Sequence, residues 1–302
     1  MSAITVVGSI NADLTAHVHR HPMPGETLLG TTATVSAGGK GANQAVAAAL
    51  LGADVAMVSA VGRDAYAEPA TAILRSSGVD LSGVAEVDGP TGLAVITVSD
   101  DGENSIIVIP GANASVGADY VESQKALVEG ADFVVLQGEI PADGFKKAVE
   151  LSRGRVVINL APVVEVDRDA LLRADPLIAN EHEAGLILDQ LGIAHPDDSP
   201  EVLTKQLLEA GFASVVLTLG GAGALVAAPG GATAIPTPKI TPVDTIGAGD
   251  AFTGALVARL SQGDSLVDAA RFAARVGAFA ASGQGAQSSY PHADDALPEV
   301  ER

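Results

Sequence analysis

The chain has 302 residues, 47% hydrophobic and only 3% aromatic, with neither tryptophan nor cysteine. This length suits one large α/β core, and the missing cysteines exclude disulfides and thiolate metal sites and fit a reducing cytoplasm. A formal charge of −20, from 37 acidic and 17 basic residues, repels polyanions, and no apolar run reaches the roughly 18 residues that span a bilayer, so neither nucleic acid nor membrane is an expected partner. The opening Met1 to Gly8 has no basic stretch and reads as a strand, not a signal peptide. A phosphate ligand must then be met locally, by backbone N–H groups, a helix N-terminus, Mg²⁺ or single basic residues.

Residues 3–8 form a β-branched run ending in glycine, the pattern of a buried parallel strand. Short threonine-, valine- and histidine-containing stretches follow from Ala12 to Ser36, broken by Pro22-Met23-Pro24-Gly25, and predict an antiparallel excursion. A helix is predicted from near Gly39, because Ala42, Ala45, Val46, Ala49 and Leu50 share one face and Gly52 supplies a stop. Asp54–Val61 reads as a strand and Tyr66–Ser76 as a helix. Leu93–Ser99 and Ser105–Ile109 form a second strand pair, hinged at Asp100-Asp101-Gly102-Glu103-Asn104. Strands are then expected at Phe133–Gln137, Val156–Asn159, Leu177–Ala179 and Val215–Leu219, with helices between them, one opened by Ser199 as N-cap and Pro200 at N1. Such alternation predicts a single α/β domain over 1–302, with a mostly parallel sheet flanked by helices on both faces. The two excursions, at about 12–36 and 92–109, predict one small antiparallel β lid.

The strongest chemical signal is Asp244-Thr245-Ile246-Gly247-Ala248-Gly249-Asp250. Phe252, Ala255, Leu256 and Leu260 share a helix face, so the glycines sit at a helix N-terminus, where N–H groups favour an anion. The same field favours an ionised carboxylate at Asp250. An ionised carboxylate beside an anion hole suits phosphoryl transfer to an alcohol. An ordinary carboxylate, with pKa near ~4, does not deprotonate an alcohol beforehand, so the proton moves late and positioning supplies most of the rate. Taken alone, the segment also fits a glycine-rich helix cap. A second signal, Gly38-Gly39-Lys40-Gly41-Ala42-Asn43-Gln44-Ala45, lacks Walker A spacing but puts a lysine among glycines at a helix start.

With Gly8-Ser9-Ile10-Asn11-Ala12-Asp13, Glu103-Asn104, Gly111-Ala112-Asn113, Glu139, Asn180-Glu181-His182-Glu183 and Thr218-Leu219-Gly220-Gly221-Ala222-Gly223, these segments resemble the ribokinase branch of the PfkB carbohydrate kinases. The resemblance runs through nearly the whole chain. It implies ATP-dependent phosphorylation of the terminal hydroxyl of ribose, or of deoxyribose, fructose or a nucleoside. It implies sugar contacts from Asn11, Asp13, Gly39, Lys40, Asn43 and Glu139, and Asp250 as base beside an anion hole of Gly247, Ala248 and Gly249. It assigns Mg²⁺ and phosphate positioning to Asn180 and Glu183, and nucleotide contacts to Thr218, Gly220 and Gly223. A monovalent cation, usually K⁺, is implied at Asp244, the Ile246 carbonyl, Ala280, Gly283, Gly285 and Ser289, and a homodimer through the lid. Leu160 stands where many relatives have proline, which leaves the local geometry of that loop open.

Other readings compete. Asn11 and Asp13 fit a simple turn, Glu183 a solvated helix position, and 218–223 a plain turn. His17, His19 and His21 share one face of an extended strand, where they fit a transition-metal site or an exposed polar edge. A nicotinamide-dependent dehydrogenase needs G-x-G-x-x-G after the first strand, which Gly8-Ser9-Ile10-Asn11 lacks. A non-catalytic sugar-binding protein has no use for Asp250 beside an anion hole.

Overall fold

The computed structural model describes residues 3–300; Met1, Ser2, Glu301 and Arg302, the ends of the expected 1–302 domain, lie outside the described residues. Among the described residues the main sheet has nine strands. Strand β1 (Ile4–Val7) lies inside it, with β4 (Val55–Gly62) and the edge strand β5 (Asp80–Val87) to one side. To the other side come β8 (Phe133–Gln137), β9 (Arg155–Asn159), β10 (Ala174–Asn180) and β11 (Val215–Thr218), all parallel to β1. The far edge turns back as β12 (Ala224–Ala228) and β13 (Gly231–Ile235), both antiparallel to their neighbours.

Alternate residues of each buried strand feed two separate cores, as the period of two requires. Val157 packs on one face and its neighbours Val156 and Ile158 on the other. The first face is covered by α1 (Lys40–Leu50), α2 (Ala67–Ser76), α9 (Ala248–Ser261) and α10 (Leu266–Ala281). The second carries α3 (Ala118–Ser123), α4 (Lys125–Glu129), α5 (Ala142–Leu151), α6 (Arg168–Leu171), α7 (Glu181–Gln190) and α8 (Pro200–Ala210). Helix α8 starts at Pro200 as expected, but the Ser199 hydroxyl donates to Asp197 and does not cap the helix.

A second sheet of four strands is built from two distant segments: β2 (Asn11–Val18) and β3 (Thr32–Gly38), then β6 (Gly92–Ser99) and β7 (Asn104–Ile109). Each pair is antiparallel, and the pairs join through a parallel β2–β6 ladder. The register sorts their side chains onto two faces. Leu14 pairs with Val35 and Val95, and Val95 with Ile107, so four apolar residues lie side by side. Asn11 and Asp13 belong to the opposite face.

Alanine, the main source of the apolar composition, lets α1, α9 and α10 pack closely. The tightest approach is at Gly254 of α9, where a Cβ would lie 2.5 Å from the Gln44 carbonyl oxygen and 2.6 Å from the Ala47 Cβ. These are backbone and helix-core atoms, which cannot swing aside. Gly254→Ala should force α1 and α9 apart at a cost of about 1–3 kcal/mol. A thermal melt showing an unchanged Tm would contradict that packing account.

Candidate functional site

The polar residues gather where the parallel strands end, as ligand sites do in such sheets. Gln137 closes β8, Asn159 closes β9, Asn180 closes β10 and Thr218 closes β11. Asn11 and Asp13 open β2, and the N-termini of α1 and α9 point at the same region.

Helix α9 begins at Gly247, whose φ of +75° is left-handed. A side chain there would be strained and would also meet the Ala286 Cβ and the Tyr290 Oη, each at 2.7 Å. The Tyr290 hydroxyl donates to the Gly247 carbonyl at 2.9 Å and holds that turn. Burial first, then Asp250 and Asp13, push the Tyr290 phenol well above its ordinary pKa, which keeps it a donor. Helix geometry leaves the first-turn N–H groups of Gly249 and Asp250 without intrahelical acceptors, so this turn offers amides to an anion.

Asp250 is 7% exposed. Its two carboxylate oxygens accept from successive residues of α1: Asn43 Nδ2 donates to Oδ2 at 2.9 Å, and Gln44 Nε2 donates to Oδ1 at 2.9 Å. Each donor is itself held. Gln287 Nε2 donates to Asn43 Oδ1 at 2.9 Å, and Gln137 Nε2 donates to Gln44 Oε1 at 2.7 Å. Gln44 belongs to the Gly38–Ala45 segment but carries no role of its own in the resemblance, and Gln137, Asn159 and Gln287 belong to none of its site positions. The available signal was an amide terminating a buried strand, in Phe133–Gln137 and Arg155–Asn159.

On the lid side, Asn113 braces the start of β2. Its Oδ1 accepts from the Ile10 N–H at 3.0 Å, and its Nδ2 donates to Asn11 Oδ1 at 2.7 Å. Glu139 accepts at one oxygen from the Ser9 hydroxyl (2.5 Å) and the Lys40 N–H (3.0 Å). Asp13 is largely buried, and its Oδ1 has no hydrogen-bond partner among the described residues. Burial, then Glu139, then Asp250 raise its carboxyl from 3.8 to about 7. Lys40 answers this negative cluster. Asp250 raises its ammonium above the usual value, burial opposes the rise, and Glu139 and Glu183 add to it.

A cleft of about 730 Å³ opens beside the start of α9. Ala248 and Gly249 line it, together with Asn180, Thr218, Gly220 and Gly223. The small residues Ala274, Gly277 and Ala278 of α10 form part of its floor. Glu183 is placed differently from the rest: it closes a capping box with Asn180, donating its own N–H to Asn180 Oδ1 at 2.8 Å and accepting the Asn180 N–H at 2.9 Å. Both residues therefore have a structural task at the head of α7.

Of the six residues expected around a monovalent cation, Asp244 and Ile246 lie in the loop before α9, Ala280 in the last turn of α10, and Gly283, Gly285 and Ser289 in the segment that follows it. Asp244 accepts from the Ile246 N–H at 2.9 Å and, across the gap, from the Gly285 N–H at 3.0 Å. The Gly283 N–H donates to the Ala280 carbonyl at 3.1 Å, and a Cβ on Gly283 would lie 2.7 Å from that of Ser289. Carboxylate, carbonyl and hydroxyl oxygens are the donors these segments offer, which suits a hard cation. The three histidines do not assemble. Strand β2 ends at Val18; His19 pairs with Asp100 at 2.7 Å, and His21 with Thr97 and Ser99. Among the described residues, no group of His, Cys, Asp and Glu is arranged to hold a metal ion, and no helix is long and apolar enough to cross a membrane.

Comparison with known proteins bears on the family and the fold. The model of the pfkB family carbohydrate kinases matches residues 1–293. A ribokinase of Haemophilus influenzae is 34% identical over 303 residues, covering 99% of this chain and 98% of its own. The crystal structure of ribokinase from Thermotoga maritima superposes with a TM-score of 0.90 at 33% identity, covering 97% of each chain. Arabidopsis thaliana ribokinase, solved in complex with ribose and ATP, superposes with a TM-score of 0.88 at 30% identity, covering 97% of this chain and 96% of that one.

The raised Asp13 carboxyl has a consequence for stability. Between pH 4 and 7 the folded protein keeps a proton that the unfolded chain has released, so stability falls as pH rises through that window and levels off above about 7. Asp13→Asn removes this dependence, so urea midpoints of the variant should gain on wild type from pH 5 to pH 7. A constant difference across that range would refute the assignment.

Proposed function

The chain belongs to the pfkB family of carbohydrate kinases, and we propose that it transfers the terminal phosphoryl group of ATP to the 5-hydroxyl of D-ribose, giving ribose 5-phosphate and ADP. One observation carries this reading. The Asp250 carboxylate stands at the head of α9, bonded to the α1 residues beside Lys40, while Ala248 and Gly249 of the same turn line the nucleotide-sized cleft. One helix start thus serves both substrates.

In this mechanism the sugar lies between Asn11, Asp13, Gly39, Lys40, Asn43 and Glu139, with its hydroxyl toward Asp250. As the hydroxyl oxygen bonds to phosphorus, its proton passes to Asp250 and the bond from phosphorus to the bridging oxygen of ADP breaks. The free N–H groups of Gly249 and Asp250 in the turn opened by Gly247 and Ala248 stabilise charge on the transferring group, and Lys40 offsets the repulsion between that group and the surrounding carboxylates. Thr218, Gly220 and Gly223 hold the nucleotide. Mg²⁺, carried by the phosphates, would be held at the Asn180–Glu183 corner and neutralise phosphate charge. A potassium ion would be held by Asp244, the Ile246 carbonyl and the 280–289 loop, ordering the turn that precedes α9. We read the whole chain as one domain, working in the cytoplasm where ATP is supplied, with the four-stranded sheet as a lid that closes over the sugar and excludes water.

The outer face of that lid carries Leu14, Val35, Val95 and Ile107, with Ile107 65% and Val35 43% exposed. An apolar sheet face of this kind is self-complementary across a two-fold axis, and we assign its cover to a second copy of the chain. Wild type should sediment as a dimer at micromolar concentration and Ile107→Glu as a monomer; a monomeric wild type would sink the assignment.

Ribose, 2-deoxyribose, fructose and adenosine, compared by kcat/KM in an ADP-release assay with and without K⁺, test the substrate. Ribose should lead, and K⁺ should accelerate turnover. Adenosine ahead by a hundredfold would overturn the sugar assignment. Asp250→Asn should lower kcat by about a thousandfold or more while ribose affinity changes only a few-fold; turnover surviving in that variant would remove Asp250 from the role of base.

A further inference from the structure

Gln44 is 1% exposed, and its amide is engaged on every side by protein groups. Its Oε1 accepts from Gln137 Nε2 at 2.7 Å. Its Nε2 donates both to Asp250 Oδ1 at 2.9 Å and to Asn159 Oδ1 at 3.0 Å. Asn159 is fixed in its turn, because its Nδ2 donates to the Ile178 carbonyl at 3.1 Å, so its oxygen must face Gln44. The amide orientation of Gln44 is therefore determined twice over. Turned by 180°, it would set its oxygen against a carboxylate oxygen and an amide oxygen. Each such mismatch leaves buried polar groups unpaired, which costs more than a lost hydrogen bond.

From this we infer that Gln44 is a positioning residue for Asp250, with Gln137 and Asn159 as the groups that aim it. The inference rests on reading Asp250 as the base. Gln44 occupies one carboxylate oxygen from the side of α1, and Asn43 occupies the other. The carboxylate plane is thereby fixed, and the remaining lone pairs face the alcohol. Two consecutive α1 residues divide the work: Asn43 sits where the sugar is expected, whereas Gln44 meets only protein. Loss of the Gln44 donor leaves the sugar pocket intact and frees the carboxylate to rotate. A misplacement of about 1 Å in a reacting group costs on the order of a hundredfold in rate.

The test measures kcat, KM and ligand affinity in Gln44→Met, which keeps the length and lacks the donor, and in Gln137→Met, which leaves Gln44 in place and removes what aims it. Asp250→Asn and wild type run alongside, with the fastest acceptor of the panel. Rates are normalised to the folded, ATP-binding fraction, so a variant that folds poorly is still scored. The expected result is a kcat lower by about 10- to 100-fold in Gln44→Met and by a smaller factor in Gln137→Met. KM for sugar and ATP should stay within about threefold in both. Gln44→Glu, which sets a second carboxylate against Asp250, should fall below Gln44→Met. A lowered Tm with unchanged normalised kcat in both Met variants would reduce Gln44 to a structural residue and overturn the inference. A rise in sugar KM with kcat preserved would overturn it equally, by making Gln44 a binding residue. Wild type that turns over, with Asp250→Asn equally active, would instead reject Asp250 as base, and a wild type inactive on every acceptor would reject both readings.

Discussion

A carboxylate held out of water at the head of a helix is the constraint around which the rest of this molecule is arranged. Burial penalises the charged form of Asp250 unless hydrogen bonds and a favourable field replace hydration. The α9 N-terminus supplies the field, and the amides of Asn43 and Gln44 supply the bonds. That arrangement requires α1 and α9 to touch, which in turn requires alanine along both helices and glycine at 254. The small-residue composition is thus tied to the chemistry through packing distance, not only through helix propensity.

The same amides join parts of the chain that are far apart in sequence. Gln287 belongs to the 282–290 loop, Gln137 and Asn159 to neighbouring strand ends, and Asn43 and Gln44 to α1. A neutral amide network suits this position. It carries donors and acceptors with fixed direction, and it adds no charge to a site where Asp13, Glu139 and Asp250 already act on one another.

Much of this architecture was legible in the sequence, for identifiable reasons. Long buried strands such as Phe133–Gln137 and glycine-marked helix starts such as Gly39 and Gly247 announce themselves through local pattern. Strand β5 did not, because it is an edge whose exposed Asp80, Ser82 and Glu86 interrupt the apolar run. Strands β12 and β13, short and alanine-rich, also lack a local signal. Within the site, the glycines and acids could be read from spacing. The capping box of Asn180 and Glu183 could not be told from the proposed ligand pair, since the two share one spelling. The amides around Asp250 were hidden for a different reason: Gln44, Gln137 and Gln287 meet only after the fold has closed. The histidine trio failed as a cluster because β2 stops at Val18, and the pleat that would align His19 and His21 stops with it.

Strand β2 serves two neighbourhoods by alternation. Asn11 and Asp13 look inward to the polar site, while Ala12 and Leu14 belong to the apolar layer shared with Val35, Val95 and Ile107. Point substitutions can therefore alter ligand preference and outer packing independently, since odd and even positions do not share neighbours. Length change has no such freedom. One residue gained or lost just before Asn11 would exchange the two faces at a stroke, turning Leu14 toward the ligand and Asp13 toward solvent. Drift along this strand is confined to replacements, with indels left to the 19–31 connection, where no ladder keeps count.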